Sequence, residues 1–129
     1  MKYIIKISIL IVLLTSCGES FKHIDTTKFN SKIQNKNDIK TPEQLIEIFY
    51  DYPENEGNPK LKITSKKLDK NKFEITLIHD HIEDDSQSAV KYVMIAIKNG
   101  NIWKAIEIKE SWKCYNGRGH SGWGTGTCN

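Results

Sequence analysis

Two short segments of this chain carry residues that could bind a metal ion or an anionic group. In the first, His79 and His81 lie two positions apart, just ahead of the carboxylates of Glu83, Asp84 and Asp85. Alternate residues of a strand share a face, and imidazole and carboxylate groups are common zinc ligands. His79 and His81 are therefore weak candidates for a metal site. We favour the alternative, a solvated strand end with an acidic turn, because the spacing fixes no third ligand.

The second segment is the C-terminal tail, from Trp112 to Asn129, which is rich in glycine. Its Arg118 is the only arginine of the chain and stands between Gly117 and Gly119. The planar guanidinium pairs with carboxylates in a bidentate way that lysine cannot reproduce. A phosphate-binding loop would need a strand before it and a helix after it, and no helix pattern follows this segment. The pattern therefore favours a structural arginine in a glycine-rich turn over a ligand site.

No group of residues in the sequence indicates a catalytic site. The chain lacks the G-x-S-x-G motif of a nucleophilic serine. Asp84 and Asp85 could supply a pair of carboxylates, but adjacent residues in an extended segment usually point apart. We therefore expect no catalytic residue and no cofactor.

The first 17 residues have the pattern of an export signal. Lys2 and Lys6 precede an apolar run that ends at Leu14 and is too short to span a bilayer. The following sequence, Leu14-Thr15-Ser16-Cys17, resembles the lipobox of bacterial lipoproteins. This resemblance implies cleavage before Cys17 and attachment of lipid to its sulfur. The alternatives are an ordinary secretory signal with an incidental cysteine, or an uncleaved anchor.

A lipid on Cys17 would place the protein in the cell envelope, facing the periplasm or the exterior, with the membrane as its first partner. An envelope protein could be a second partner. The chain has 19 basic and 16 acidic residues. Removal of the signal takes away Lys2 and Lys6, which leaves 17 basic residues and a nearly balanced charge. A nucleic-acid-binding protein needs a strong basic excess, so we expect no nucleic-acid partner.

The two remaining cysteines, Cys114 and Cys128, form an even pair in an exported chain. Such pairs normally oxidise outside the cytoplasm, so we expect a disulfide. Closing a loop of this size contributes about 3 kcal/mol to stability. Two free thiols or a pair of metal ligands are the alternatives, and the long spacing argues against zinc.

The chain of 129 residues is long enough for one domain. We expect a signal peptide over 1–16, a lipidated flexible tether over 17–40 and a single domain over 41–129, with a disulfide loop over 114–128. The tether is predicted because its composition is polar and its apolar residues occur singly.

Within the predicted domain, Thr41, Pro42 and Gln44 form a helix start with a capping box, and Pro53 ends the helix. Four strand patterns follow. The last two are joined by Asn99-Gly100, a preferred hairpin turn, which predicts that Ile97 faces Ile102. The helix is then expected to pack on the face carrying Val93, Ile95, Ile97, Ile102, Ile106 and Ile108. The predicted fold class is α+β: one N-terminal helix on a four-stranded antiparallel meander with a disulfide-closed tail.

The tail also carries a resemblance. Trp112 to Cys128 has the pattern W-x-C-x-x-G-R-G-H-x-x-W-x-x-x-x-C, which resembles the end of small exported bacterial proteins of uncharacterised function. The resemblance implies a cystatin-like or NTF2-like fold and a Cys114–Cys128 bridge, but no activity. In that pattern the carboxylates nearest to Arg118 are Asp84 and Asp85. We therefore expect an ion pair between Arg118 and one of them, with His120 and Trp123 left on the surface as contact residues.

Two classes of function remain open. The first is a non-enzymatic binding or interaction module presented on a membrane by its lipid. The second is a small hydrolase or isomerase that uses the curved sheet as a pocket. The predicted apolar face contains aliphatic residues with only Lys104 as an ionisable neighbour, which favours the first class. A buried Asp or His with a shifted pKa would favour the second.

Overall fold

The computed structural model describes residues 18–52 and 59–129. The described residues form two helices and one antiparallel sheet in the strand order β1-β5-β4-β3-β2. In chain order the elements are β1 Lys22–Ile24, α1 Thr27–Ile33, α2 Pro42–Tyr50, β2 Leu61–Asp69, β3 Lys72–Asp80, β4 Gln87–Asn99 and β5 Ile102–Cys114. The α+β class is confirmed. The expected count of one helix and four strands is wrong, because β1 and α1 were not predicted. None of the described helices is long and apolar enough to cross a membrane.

Helix α2 begins where the sequence predicts. The Oε1 atom of Gln44 accepts hydrogen bonds from the backbone N–H groups of Lys40 and Thr41, at 2.6 and 3.1 Å. These bonds satisfy donors at a helix start that have no partner within the helix. The helix ends at Tyr50, and Asp51 follows in a left-handed conformation with a φ of 45°. The predicted terminator Pro53, like the signal segment and Cys17, lies outside the described residues.

The segment interpreted as a flexible tether belongs to the folded domain from Gly18 onward. Phe29, Ile33 and Ile39 are buried in the core, and β1 pairs with β5. Phe29 and Ile33 are four residues apart and therefore share one face of α1. The isolated apolar residues of 18–40 are thus spaced to cover the sheet, and the prediction of a tether over this range is wrong.

Asn30 on α1 extends the pairing along β5. Its side-chain amide donates to the carbonyl of Ala105 at 2.9 Å, and its Oδ1 accepts from the N–H of Ala105 at 2.8 Å. The side chain therefore takes the place of a neighbouring strand beyond the end of β1. Two backbone groups at a sheet edge are satisfied in this way.

The hairpin between β4 and β5 differs from the predicted one. The loop residues are Gly100 and Asn101, so Asn99 pairs with Ile102 and Ile97 pairs with Lys104. Gly100 adopts a φ of 61°, which glycine tolerates without a Cβ clash. A bulge follows, because Ala96 pairs with Ala105 whereas Ile95 pairs with Glu107.

The helices pack on the opposite face from the one expected. The core under the helices contains Met94, Ala96, Trp103 and Ala105, together with Ile108, the one residue of the expected set that lies there. Ile102 and Ile106, expected in the core, are 54% and 49% exposed. Side chains alternate along a strand, so packing the helices on the Met94 face turns Val93, Ile95 and Ile97 away from them.

The predicted disulfide is confirmed. Cys114 and Cys128 are bonded, with a Cα–Cα distance of 5.5 Å. The tail folds back along β5, where Trp112 and Gly124 exchange two backbone hydrogen bonds of 2.9 and 3.0 Å. The indole N–H of Trp112 also donates to the carbonyl of Gly126 at 2.9 Å.

Candidate functional site

A groove lies where α2 ends, β3 ends and β4 begins, on the side of the sheet that carries the helices. Its volume is about 620 Å³. Tyrosine and histidine rings form its walls, and the loop before β4 forms its rim. We call it the tyrosine groove; its lining residues are Tyr50, Tyr52, His79, Ile82, Glu83, Asp84, Gln87, Val90 and Tyr92.

His79 and Tyr50 form a hydrogen-bonded pair in the wall of this groove. The Tyr50 hydroxyl oxygen lies 2.6 Å from Nδ1 of His79, and the tautomer decides which group donates. His79 is only 5% exposed. Burial lowers the pKa of His79 because it disfavours the charged imidazolium, and the Asp80 carboxylate opposes this in part. Burial also raises the pKa of Tyr50. Both groups are therefore neutral at neutral pH.

The other aromatic rings pack around this pair. Tyr50 is stacked on Tyr52 with 6.0 Å between ring centroids, and Tyr92 lies 5.5 Å from Tyr50. Tyr52 also makes an edge contact with His79 at 5.3 Å. Such contacts stabilise rings beyond the area they bury. The rings thus form one continuous aromatic wall.

Tyr92 connects this wall to the strands. It pairs directly with Glu110 across β4 and β5. Burial is the main cause that raises the pKa of Tyr92, and the Glu110 carboxylate raises it further. The phenol of Tyr92 therefore stays protonated, and its hydroxyl is hydrogen-bonded to the Glu110 carboxylate.

Asp84 shapes the rim of the groove. Its Oδ1 accepts hydrogen bonds from the backbone N–H groups of Ser86 and Gln87, at 2.8 and 2.7 Å. These bonds favour the carboxylate and hold the pKa of Asp84 below its usual range. Asp84 therefore closes the turn that leads into β4.

The expected ion pair between Arg118 and Asp84 or Asp85 is not formed. No ion pair within residues 18–52 and 59–129 joins Arg118 to either carboxylate. Arg118 instead donates from Nη1 to the carbonyl oxygen of Asn129 at 3.2 Å. The physical reason is that the tail folds along the edge of β5, and Asp84 is already bonded within its own turn.

Tyr115 makes the connection between the tail and the acidic turn. Its backbone N–H donates to the carbonyl of Ser86 at 2.8 Å, and its hydroxyl donates to the carbonyl of Ile82 at 3.1 Å. The tail therefore supports the rim of the groove through backbone acceptors.

The weak metal candidates do not act as a pair. His79 is buried in the wall, whereas His81 follows the end of β3 in a left-handed conformation with a φ of 55°. In the part of the chain that the structure describes, one group of three possible ligands is close enough to share an ion: Cys114, His120 and Cys128, with ligand atoms within 4.8 Å of one another. The two sulfurs of that group are bonded to each other.

The two expected contact residues are both engaged in packing of the tail. The Nδ1 and Nε2 atoms of His120 lie 2.9 and 3.0 Å from the carbonyl oxygens of Gly122 and Gly126. A Cβ atom on Gly124 would approach the His120 ring to 3.1 Å, so this glycine gives the ring its space. Trp123 has the ammonium groups of Lys91 and Lys113 at 4.3 and 4.6 Å from its ring centroid.

Sequence reasoning did not find the tyrosine groove. The sequence places His79 at a solvated strand end, and no pattern in it singles out the three tyrosines. Four ring-bearing residues lie within one wall although Tyr50 and Tyr92 are far apart in sequence. The available signal was the pair of tyrosines at the end of a helix, where a hydroxyl can reach beyond the core.

No protein-family model, curated protein or solved structure matches this chain.

Proposed function

We propose that this protein is an exported lipoprotein, anchored in the cell envelope through Cys17, whose domain binds a small polar ligand in the tyrosine groove without transforming it. The lipobox-like sequence supports the anchor. The observation that carries the binding function is the groove itself, with its continuous wall of tyrosine and histidine rings.

The chemistry of the groove supports a polar ligand. Ring faces offer apolar contact to flat or cyclic groups, and phenol groups offer hydrogen bonds. Glu83 and Asp84 add exposed carboxylates at the rim. Such a groove suits a sugar, an amino acid or a short peptide with donor groups.

The anchor is tested by Cys17→Ser. This variant should lose incorporation of labelled palmitate and move from the membrane fraction to the soluble fraction. Ser20→Ala, three residues later, is the matched control and should behave as the wild type. A Cys17→Ser protein that keeps its label and still sediments with membranes would reject the anchor.

The groove is tested by saturation-transfer NMR with a panel of sugars, amino acids and dipeptides. Ligand signals should weaken in His79→Gln and Tyr92→Phe, which alter the polar groups of the groove. His23→Gln changes an exposed histidine on β1 and should leave the signals unchanged. Equal signals from all four proteins would place binding elsewhere.

A second candidate is a small hydrolase or isomerase, which one specific observation favours. His79 is a neutral imidazole that lines the groove, and a general base must be unprotonated and within reach of the substrate. With hydrolysable esters as probes, turnover should be lost in His79→Gln and kept in His23→Gln. The acid limb of the pH profile should lie below the ordinary histidine pKa of about 6.5, because burial lowers the pKa of this group.

A further inference from the structure

The face of the sheet without helices is rich in lysine. Directly paired residues point to the same side of a sheet, so the strand register assigns this face. We call it the outer face. On β2 to β5 it carries seven lysines and four acidic residues: Lys62, Lys66, Lys72, Lys91, Lys104, Lys109, Lys113, Asp69, Glu74, Asp80 and Glu107. The lysines outnumber the acidic residues by three, so the strands of the outer face carry a net positive charge.

The first described residues lie on this same face. The carboxylate of Glu19 is 2.8 Å from Nζ of Lys91, and the ring of Phe21 has Nζ of Lys109 at 4.8 Å from its centroid. Both residues line a shallow groove on the outer face together with Thr76 and Val93. The chain therefore leaves the domain at the outer face.

Cys17 is two residues before Glu19, so at most about 7 Å of extended chain separates them. A lipid on Cys17 that enters a bilayer would bring the outer face to the headgroups. A tether of the length expected from the sequence does not exist in this fold, because Phe29, Ile33 and Ile39 are in the core.

The composition of the outer face matches an anionic membrane surface. Lysines near a bilayer are attracted to anionic headgroups, and aromatic rings favour the interface. Phe21 and Trp123 are the rings beside these lysines. One lipidated residue with a basic patch is also a common combination for stable anchoring.

We propose that the outer face lies flat against anionic phospholipid headgroups. This inference rests on the proposed lipidation of Cys17. The tyrosine groove lies on the other side of the sheet, where Tyr92 pairs with the core residue Leu77. In this orientation the groove opens away from the membrane, toward soluble ligands.

The test is lysine acetylation of the natural lipidated protein, reconstituted in vesicles and read by mass spectrometry. The vesicles are pure phosphatidylcholine or the same lipid with about 30% phosphatidylglycerol, an anionic lipid. Three exposed lysines of the outer face, Lys62, Lys66 and Lys104, are compared with three exposed lysines on the helix side, Lys28, Lys36 and Lys40.

We expect acetylation of the outer-face lysines to slow about three-fold or more in the anionic vesicles, and that of the helix-side lysines to stay unchanged. The proposal would be overturned if outer-face and helix-side lysines were acetylated at equal rates. It would also be overturned if acetylation of the outer-face lysines slowed equally in both kinds of vesicle. The same spectra report the lipid on Cys17, so failure of the anchor is distinguished from failure of the orientation.

Charge reversal gives a second measurement. In K62E/K66E/K104E, anionic vesicles should protect Lys72 less from acetylation than in the wild type. The variant K28E/K36E/K40E changes the net charge equally and should leave the protection of Lys72 intact. Loss of protection in both variants would indicate a general charge effect and would also overturn the proposal.

Discussion

The hydroxyl oxygen of Tyr50, at the last residue of α2, lies 2.6 Å from Nδ1 of His79, near the end of β3. This bond joins the helix layer to the sheet at the wall of the tyrosine groove. It gives a buried polar ring nitrogen its hydrogen-bond partner.

Removing the Tyr50 hydroxyl should therefore destabilise the domain. Tyr50→Phe leaves Nδ1 of His79 without this bond, and we expect a loss of about 1–2 kcal/mol in the free energy of unfolding. Urea denaturation measures it. Tyr115→Phe removes a hydroxyl from a more exposed side chain and should cost less. Equal costs for the two variants would argue against a special role for the Tyr50 bond.

The lowered pKa of His79 predicts that stability depends on pH. The unfolded chain binds a proton near pH 6.5, whereas the folded chain binds it only at lower pH. The stabilising contribution is therefore complete above about pH 7 and is lost as the pH falls through the folded pKa. Urea denaturation at pH 7.5 and 5.5 should show this loss. His79→Gln should reduce the difference, and His23→Gln should keep it.

Reduction of the Cys114–Cys128 bridge should lower stability by about 3 kcal/mol, since the bond closes a loop with a separation of 14 residues. The double variant C114S/C128S gives the same comparison without a reductant. Thermal denaturation followed by circular dichroism measures the loss. If a reductant lowered the thermal stability of the wild type and of the double variant equally, its effect would not come from the bridge.

Phe29 tests whether the segment before α2 belongs to the domain. Phe29→Ala removes a buried ring from the core and should cost about 3–5 kcal/mol. Gln34→Ala changes an exposed residue next to α1 and should cost under about 0.5 kcal/mol. A negligible effect of Phe29→Ala on urea denaturation would restore the interpretation of a flexible tether.

Asn30 tests the extension of the β5 edge. Asn30→Ala removes both hydrogen bonds to Ala105, with an expected loss of about 1–3 kcal/mol in the free energy of unfolding. The exposed Asn37→Ala is the control. Amide hydrogen exchange at Ala105 should speed up only in Asn30→Ala, and an unchanged rate there would contradict the pairing.

Local sequence signals determined several features of this fold. The capping residues Thr41 and Gln44 predicted the start of α2, because a helix start depends on a few adjacent residues. The alternation of apolar residues predicted four of the strands. The even pair of cysteines predicted the bridge between Cys114 and Cys128.

Tertiary packing decided which face of the sheet is buried. Both faces of β4 carry apolar residues, so its pattern did not distinguish Met94 and Ala96 from Val93 and Ile95. The helices settle the choice, because the face they cover forms the core, where Met94 and Ala96 lose all contact with water. The same packing buries Phe29 and Ile33. These two residues contribute little to stability until the sheet provides a surface on which they pack.

The candidate site also depends on tertiary structure. Tyr50 and His79 are 29 residues apart in sequence, and no local pattern links them. For Arg118, the sequence predicted a carboxylate partner that the fold does not provide. The path of the tail places its guanidinium against the carbonyl oxygen of Asn129 instead. The sequence by itself determined elements whose causes are local, whereas the burial, pairing and pKa of His79 arise from residues that only the folded chain brings together.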